Sequence, residues 1–540
     1  MSTLFKYTAV GSLCVSALLS QTAYAASATF DAASGLVEMP IVELREGTSS
    51  QFFSATLRLV EGNQLELVSA TPIASGQGQQ RNVMFLDNGV VHVNAVEALG
   101  AEWYARLRLI PGTNPMRLQL EDLSNNNFEG CPSFAAQGPI DGTCVLSGEL
   151  RGDMTLTKNT EWILSGSVFV GGDNTEQSTI RINPGVTVIG QQGTDYLLVR
   201  RGSKIIAEGT PDSPIVMQGA NGQGPGEWGG LELHGNAPVN GCNEGVAVCE
   251  LPNVIDANEF FGGNDPMDDS GVIRFMQVLN TGFAVLPDQE LNCLTFNGVG
   301  AGTLVEFVHC HDGADDGFEM FGGTVNIKHV IATNIDDDSL DWQFGWQGNA
   351  QFMLVKQADT FGDNGIEGDN QAVTEALPRS TPTISNMTVL GSPSARDRSG
   401  VLLRVGTGGR IWNSVFTDFP FCITIDDAST FQNAGAIGNL SGLLTMNNSF
   451  VDCPTNFREG DDPTFTVADW FFSQQGNQSA NPQLNGFLPA ASSPLLNVGI
   501  TRAQETSIPP VQFFEAVDYA GAFRDENDDW TAEWSFPIDR

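Results

Sequence analysis

The chain of 540 residues is long enough for more than one domain, and its 64 acidic and 25 basic residues give a formal net charge of −39 at pH 7. A surface with this charge repels nucleic acid, anionic lipid and polyuronate chains unless cations intervene, which argues against nucleic acid as a partner. The chain contains no G-x-S-x-G, no H-E-x-x-H and no G-x-x-x-x-G-K-[ST] motif, so the lipase, zinc protease and NTPase classes lose support.

Residues 1–25 have the organisation of a secretory signal peptide. Lys6 precedes an apolar run from Tyr7 to Leu19, and the sequence Ala-Tyr-Ala at residues 23–25 follows as a cleavage site. The apolar run is too short to cross a bilayer, and no later segment is apolar enough to do so. We therefore predict an exported protein without membrane insertion that is secreted, held at the cell surface or located in the periplasm.

Residues 26–125 contain an internal duplication. The segment GLVEMPIVE at residue 35 matches GVVHVNAVE at residue 89, and ATLRLV at residue 55 matches ARLRLI at residue 105. Both copies alternate apolar and polar residues between Gly and Asn, as half-buried antiparallel strands do. We predict a small β-domain of two similar units, followed by a linker and disulfide loop over residues 126–144.

Eight cysteines remain after the predicted signal peptide, and an even number in an exported protein predicts disulfide bonds. Two pairs are close along the chain, and each would close a loop that contains glycine: Cys131 with Cys144, and Cys242 with Cys249. The other four can pair in three ways, between which the sequence does not decide: Cys293, Cys310, Cys422 and Cys453.

From about residue 145 to residue 500, short apolar segments alternate with Gly, Asn and Asp, and helical periodicity is almost absent. Two acidic segments, DDGFE at residue 315 and DDSLD at residue 337, are 22 residues apart, and DNGIE at residue 363 continues the pattern. At this offset apolar positions align without gaps: Val305 with Ile327, Val308 with Val330, and Cys310 with Ala332. Such a repeat is typical of a parallel β-helix, in which stacked coils bury a continuous interior.

Several segments carry a family resemblance: IIAEGTPDSPIVM (205–217), GEWGGLELHGNAPVNG (226–241) and DDGFEMFGGTVNIKH (315–329). They resemble a family of exported right-handed parallel β-helix proteins, pectin-lyase-like, from marine Gammaproteobacteria and Bacteroidetes. The likeness covers roughly residues 145–540 and implies the fold, but it implies no particular activity. The ending FFEAVDYAGAFRDENDDWTAEW (513–534) resembles the family's C-terminal stretch, which implies that residues 501–540 cap the last open coil.

Stacked coils would bring carboxylates into files. Equivalent residues of neighbouring coils lie ~4.8 Å apart. One file would contain Asp315, Asp337 and Asp363, and another would contain Glu319, Asp341 and Glu367. Two carboxylates at this distance repel by roughly 3 kcal/mol at an effective dielectric constant of about 20.

Such files need protons, hydrogen bonds or a cation. Because hard oxygen ligands favour Ca²⁺, we predict a calcium site with candidate ligands Asp315, Asp316, Glu319, Asp337, Asp338, Asp341, Asp363 and Glu367. The alternative is that these side chains accept hydrogen bonds from backbone amides in turns, as Asp and Asn often do.

The same carboxylates would suit a polysaccharide-active enzyme, with catalytic candidates Asp315, Asp337, Asp341 and Glu367. Acid pairs about 5 Å apart serve retaining glycosidases, and pairs roughly 6.5–9.5 Å apart serve inverting ones. Trp342 and Trp346 could stack on sugar rings or pack within the turn. A polygalacturonase would need Gly-His-Gly and Arg-x-Lys, which are absent. A lyase would need an arginine beside the acidic residues, and residues 357–378 contain neither Arg nor Lys.

The segment HCHD at residues 309–312 offers two histidines on one strand face. The alignment places Cys310 in the interior and His309 and His311 outward, with His329 one coil further on. A transition metal would use such ligands, but histidines on a solvated strand face are the commoner arrangement.

The sequence therefore predicts an all-β protein, in which a small duplicated antiparallel β-domain precedes a right-handed parallel β-helix. The first function hypothesis is a secreted or cell-surface, Ca²⁺-stabilised protein that binds or scaffolds, in contact with an extracellular glycan or a cell-surface component. The alternative is a glycoside hydrolase or lyase that uses the stacked carboxylates, because a fold alone does not decide between binding and catalysis.

Overall fold

The computed structural model describes residues 28–74, 80–191, 193–242, 247–251, 259–286, 289–392, 398–499 and 513–539. The predicted signal peptide lies outside these residues, as do residues 501–512. The described residues form an N-terminal antiparallel β-domain followed by a long parallel β-helix, which confirms the predicted fold class.

The N-terminal domain is an eight-stranded sheet with the strands β1 (Ala28–Asp31), β2 (Leu36–Glu46), β3 (Ser49–Val60), β4 (Gln64–Pro72), β5 (Asn82–Phe85), β6 (Val90–Ala98), β7 (Ala101–Ile110) and β8 (Arg117–Asn125). Their order in the sheet is β1-β2-β3-β4-β8-β7-β6-β5, with the additional pairings β1–β6 and β2–β5. An irregularity of register between Met39 and Val42 recurs between Val93 and Val96 in the second half. The two halves therefore share backbone detail as well as sequence.

The β-helix is built from short strands that pair in parallel from coil to coil. Its first half contains β9 (Ala136–Gln137), β10 (Thr143–Leu150), β11 (Asp153–Leu156), β12 (Glu161–Val170), β13 (Thr179–Ile182), β14 (Thr187–Gly190), β15 (Tyr196–Val199), β16 (Lys204–Glu208), β17 (Ile215–Gly219), β18 (Gly230–His234), β21 (Gly271–Leu279), β24 (Leu294–Asn297), β25 (Leu304–Gly313), β26 (Phe318–Phe321) and β27 (Asn326–Ile335). Small antiparallel pairs project from it: β19 (Cys249–Leu251) with β20 (Glu259–Phe261), and β22 (Ala284–Leu286) with β23 (Gln289–Glu290).

The second half continues the same pattern with two short helices near its end. It contains β28 (Leu340–Gln343), β29 (Asn349–Lys356), β30 (Glu367–Gly368), β31 (Thr383–Leu390), β32 (Ser399–Leu403), β33 (Gly409–Trp412), β34 (Val415–Thr417), β35 (Phe421–Ile425), α1 (Ala428–Ala434), β36 (Leu444–Asn447), β37 (Phe450–Asp452), β38 (Thr455–Glu459), α2 (Val467–Ser473), β39 (Gln478–Ser479), β40 (Leu484–Asn485) and β41 (Leu488–Pro489).

The coil register agrees with the predicted offset of 22 residues. Along β25 and β27 the partners are Val305 with Ile327, Val308 with Val330, and Cys310 with Ala332. These residues belong to one continuous buried cluster that runs through the β-helix. The ends of this interior are closed by Phe134, which stacks on Trp162, and by α2, whose Trp470 is fully buried.

Of the predicted cap over residues 501–540, the described part, residues 513–539, does not lie over the last coil. Residues 513–539 lie along one side of the β-helix, where Trp530 and Trp534 pack edge-on against His329 and Phe307. Several consecutive coils place a ring outward at a residue with positive φ: Phe275, Phe307, His329 and Phe352. This apolar stack requires a cover, and the C-terminal stretch supplies it.

The same cover changes the environment of the HCHD segment. His309 points away from the coil interior as predicted, yet it is fully buried, so the expectation of a solvated histidine is wrong. His309 and His311 each make a hydrogen bond of 2.7 Å with the Thr333 hydroxyl. In the part of the chain that the structure describes, no metal-compatible group contains a histidine.

All eight cysteines of the predicted mature chain are paired. The bonds Cys131–Cys144 and Cys242–Cys249 confirm the two local predictions. The pairing that the sequence left open is Cys293–Cys310 and Cys422–Cys453.

Buried charges join the N-terminal domain to the β-helix. Arg274, which is fully buried in β21, contacts Asp87 of the domain at 2.6 Å and Glu306 of the next coil at 2.5 Å. Arg106 of the domain contacts Glu208 of the β-helix at 2.8 Å. A buried charge that loses its partner costs several kcal/mol, so these pairs fix the domain on one side of the β-helix.

We predict that Glu208→Gln destabilises the protein and reduces its sensitivity to acid. Burial would raise the pKa of Glu208, but His92, Arg106 and Arg274 together hold this pKa far below its usual range. A carboxylate with a lowered pKa stabilises the fold above its unfolded pKa and loses that contribution as the pH falls. We expect a loss of about 3–5 kcal/mol at pH 7 and a flatter decline below about pH 4.5.

Denaturant unfolding at pH 7 and pH 3 measures both effects. The control is Glu176→Gln, which removes a carboxylate that is also ion-paired but is largely exposed. Equal losses in the two variants would contradict the role given to the buried pairs.

Candidate functional site

A ladder of Asn and Asp side chains runs from coil to coil, with one residue just before each of the strands β24, β26, β28 and β30. It contains Asn292, Asp316, Asp338 and Asn364, and the Oδ1 atom of each accepts a hydrogen bond from a backbone N–H of the next coil. The N···O distances in chain order are 3.2, 2.9, 2.7 and 3.0 Å, the last from the amide of Ser399. Asp316 and Asp338 therefore perform the turn capping that the sequence offered as an alternative to metal binding.

A second file runs beside this ladder. Glu319 pairs in register with Asp341, and Asp341 pairs with Glu367. Their neighbours along each strand, such as Phe318 and Leu340, face the interior, so the three carboxylates face outward. They are nevertheless only 6%, 9% and 8% exposed, because the adjacent coils cover them.

The ladder also lies beside the predicted file of Asp315, Asp337 and Asp363, and carboxylates of these three rows form groups of three oxygen atoms that lie within 4.8 Å of one another. The groups are Asp315 with Asp316 and Asp337, Asp316 with Glu319 and Asp341, and Asp337 with Asp338 and Asp363. Seven of the eight predicted metal ligands are thus brought together. Glu367 is outside these groups.

Hydrogen bonding within the middle group is incomplete. Glu319 accepts hydrogen bonds from Asn292 at 2.9 Å and from Gln343 at 3.2 Å. Asp341 Oδ1, in contrast, is buried and has no hydrogen-bond partner among the described residues. A buried carboxylate oxygen without a partner is costly, so this atom requires a proton, water or a cation.

Burial is the largest influence on the acidity of these groups. It raises the pKa of Asp316, Asp338 and Asp341 well above the usual range, and neighbouring carboxylates add to the effect. The pKa of Glu319 rises to about 7, and that of Glu367 rises to about 8. Without a cation, part of this cluster holds protons at neutral pH.

The donor set fits a hard divalent cation. Ca²⁺ binds oxygen ligands at about 2.3–2.6 Å, so oxygens within 4.8 Å of one another can share one ion. Asp316, Glu319 and Asp341 offer only carboxylate oxygens, which Ca²⁺ prefers to nitrogen or sulfur. Since Ca²⁺ takes six to eight ligands, water or ligand hydroxyl groups would complete the coordination.

Trp342 and Trp346 cannot stack on a sugar ring, which corrects that prediction. Both are buried in the coil interior, with 1% and 0% exposure. Trp342 Nε1 donates to the Thr407 hydroxyl at 3.0 Å, and Trp346 Nε1 donates to the Val325 carbonyl at 3.1 Å. The strand alternation explains the first case, because Trp342 follows the outward-facing Asp341.

Arg404 is a site residue that the sequence argument missed. It forms ion pairs with Glu367 and with Asp369, the latter at 3.1 Å, and these charges raise its pKa although burial opposes the rise. The absence of Arg and Lys from residues 357–378 therefore did not exclude an arginine beside the carboxylates. The coil between Glu367 and its partner Leu402 is longer than 22 residues, and a fixed offset could not locate Arg404.

The fold and the site define a parallel β-helix protein with carboxylates packed along one outer edge. The family described as "Pectate-lyase like beta helix domain" matches residues 148–486, and the chain belongs to this family. Neither the search of curated proteins nor the search of solved structures found a match. Within the described residues, no helix has the length and apolar character needed to cross a membrane.

We predict that the protein without divalent cations becomes less stable as the pH rises from about 6.5 to 8. Folded Glu319 and Glu367 keep protons that the unfolded chain has already lost, because burial raises their pKa values to about 7 and about 8. At these two groups the native state binds more protons than the unfolded state, so the free energy of unfolding falls with rising pH. Burial lowers the pKa of His92, His309 and His329, but above about pH 6.5 these side chains are neutral in both states and do not oppose the fall.

Unfolding titrations in excess chelator at several pH values measure this slope, and Glu319→Gln should flatten it. A free energy of unfolding that is constant or rises across the same interval would contradict the burial of ionisable carboxylates at this edge.

Proposed function

We propose that the protein is an exported glycan-binding β-helix protein in which Asp316, Glu319 and Asp341 hold Ca²⁺. The observation that carries the proposal is Asp341, whose buried Oδ1 atom has no hydrogen-bond partner among the described residues and whose carboxylate offers an oxygen within 4.8 Å of oxygens of Asp316 and Glu319. A cation between these oxygens would replace repulsion between coils by attraction.

Binding explains the geometry of this group better than catalysis does. Glu319 and Asp341 are both more than nine-tenths buried, which suits ligands of an ion. A catalytic carboxyl group must instead reach the glycosidic bond of a substrate. The open coordination positions of the ion would accept hydroxyl groups of a glycan, the ligand class that the family match suggests.

The proposed export has independent support. The four disulfide bonds suit an oxidising compartment. The segment at residues 1–25 has the pattern of a signal peptide.

A second candidate function is a glycan-cleaving enzyme centred on Glu367, which is the last carboxylate of the file after Glu319 and Asp341. Arg404 lies against Glu367 and Asp369, and the pKa of Glu367 is about 8. A carboxyl group in this range can exchange a proton near neutral pH, and a guanidinium can stabilise a developing negative charge.

We predict that Ca²⁺ stabilises the folded protein and that chelation lowers the melting temperature. At free Ca²⁺ of ~100 times its dissociation constant, the gain is roughly 2.7 kcal/mol. The double variant Glu319→Gln with Asp341→Asn should lose most of this response, and Mg²⁺ should substitute poorly because it requires tighter octahedral coordination.

Thermal melting with and without chelator measures the effect. The control is Asp418→Asn, since burial also raises the pKa of this carboxyl group but it belongs to none of the three oxygen groups. A melting curve that chelator leaves unchanged, in protein shown to carry no tightly held metal, would refute the calcium proposal.

Glycan binding should depend on Ca²⁺ and should not release product. We expect polysaccharides that bind the Ca²⁺-loaded protein to bind at least about tenfold more weakly after chelation, because the ion supplies the contact. Reducing-end and unsaturated-product assays run beside the binding measurement distinguish the two candidates. Product formation that Arg404→Gln abolishes and Asp418→Asn preserves would replace the binding function by the enzyme.

A further inference from the structure

A cleft of about 500 Å³ lies between the N-terminal domain and the β-helix. The domain contributes Arg106 and Arg108 from β7, and the β-helix contributes Arg181 from β13 and Lys204 from β16. Neither unit alone contains all four cations, so the cleft depends on the docked arrangement.

The charge of this cleft is unusual for the molecule. Only 25 of the 540 residues are Lys or Arg, yet four of them line it together with three carboxylates, Glu121, Asp122 and Asp269. For comparison, the cavity of about 450 Å³ beside Lys356 is lined by that one cation and four aspartates. Of these two cavities, the cleft between the domains is the one whose lining cations outnumber its carboxylates, by four to three.

The cations in the cleft retain hydrogen-bonding capacity. The Arg181 guanidinium makes no hydrogen bond to the described residues, and its nearest carboxylate is that of Asp153 at 3.7 Å, a side chain that is 79% exposed. Arg108 shares the single carboxylate of Glu121 with Arg106, and Lys204 pairs with the half-exposed Asp269. Because each guanidinium has five N–H donors and each ammonium three, most donors in the cleft are available to a ligand.

We propose that this cleft binds an oxyanion group, a sulfate ester or a carboxylate, borne by a glycan chain. A guanidinium can donate two parallel hydrogen bonds to two oxygens of such a group, and the Lys204 ammonium can donate a further hydrogen bond from another side. The glycan part of the inference rests on the proposed function, whereas the oxyanion part rests on the cleft alone. Arg106 is held by the buried Glu208 and keeps the wall of the cleft in place.

Titration calorimetry of the full mature chain at low ionic strength tests the site. The probes are a sulfated galactan oligosaccharide, its desulfated counterpart and an oligogalacturonate. The test variant is Arg181→Gln with Lys204→Gln, since both side chains are partly exposed and neither belongs to the buried pairs. The control is Arg117→Gln, which removes an equally exposed, ion-paired arginine of the N-terminal domain that does not line the cleft.

We expect the sulfated probe to bind at least about tenfold more tightly than the desulfated one, and the double variant to lose about tenfold in affinity. The control variant and excess chelator should leave this affinity unchanged, which separates the cleft from the calcium group. Binding of oligogalacturonate alone, lost in the double variant, would support the site and assign it to a carboxylate. Equal affinity for all three probes, no binding of either anionic probe, or equal losses in the two variants would overturn the proposal.

Discussion

Backbone pairing between neighbouring coils is the constraint on which the rest of the structure depends. It sets the distance between equivalent residues, so Glu319, Asp341 and Glu367 cannot separate without breaking the hydrogen bonds of the β-helix. Charge repulsion at this spacing must therefore be compensated locally, because the fold leaves no route to relieve it by movement.

The molecule compensates the charge in different ways along the same edge. Asp316 and Asp338 accept backbone hydrogen bonds from the next coil, and Glu367 pairs with Arg404. Asp341 Oδ1 has neither kind of partner among the described residues. The number of carboxylates is weak evidence for a cation, because an acidic chain exposes many of them to water. The buried oxygen of Asp341 that has no partner is what indicates a cation at Asp316, Glu319 and Asp341.

Stacking also determines what covers the side of the β-helix. The file of rings from Phe275 to Phe352 forms an apolar stripe, and Trp530, Trp534 and Phe85 pack against it. The C-terminal stretch and the N-terminal domain therefore both pack against rings that the coil register aligns. The cleft between the domains is a product of this docking, and the calcium group on the acidic edge needs only the coils themselves.

Local periodicity predicted the coil register, the acidic files and two disulfide bonds, because each of these depends on residues close in sequence or at a constant offset. The inward direction of Trp342 also follows from its place beside the outward Asp341, and strict use of the alternation would have given it. Arg404 and the path of residues 513–539 depend on one long coil and on contacts between distant segments. A single repeat length carries no information on either, so the sequence could not locate them.

The binding of Ca²⁺ by Asp316, Glu319 and Asp341 is tested most directly by a crystal structure of the protein crystallised with Ca²⁺, in which anomalous scattering locates the ion. We predict an anomalous peak about 2.3–2.6 Å from carboxylate oxygens of Asp316, Glu319 and Asp341, with Asp341 Oδ1 among the ligands of the ion. No peak in this group, with Asp341 Oδ1 hydrogen-bonded to water or to a neighbouring protonated carboxyl, would contradict it.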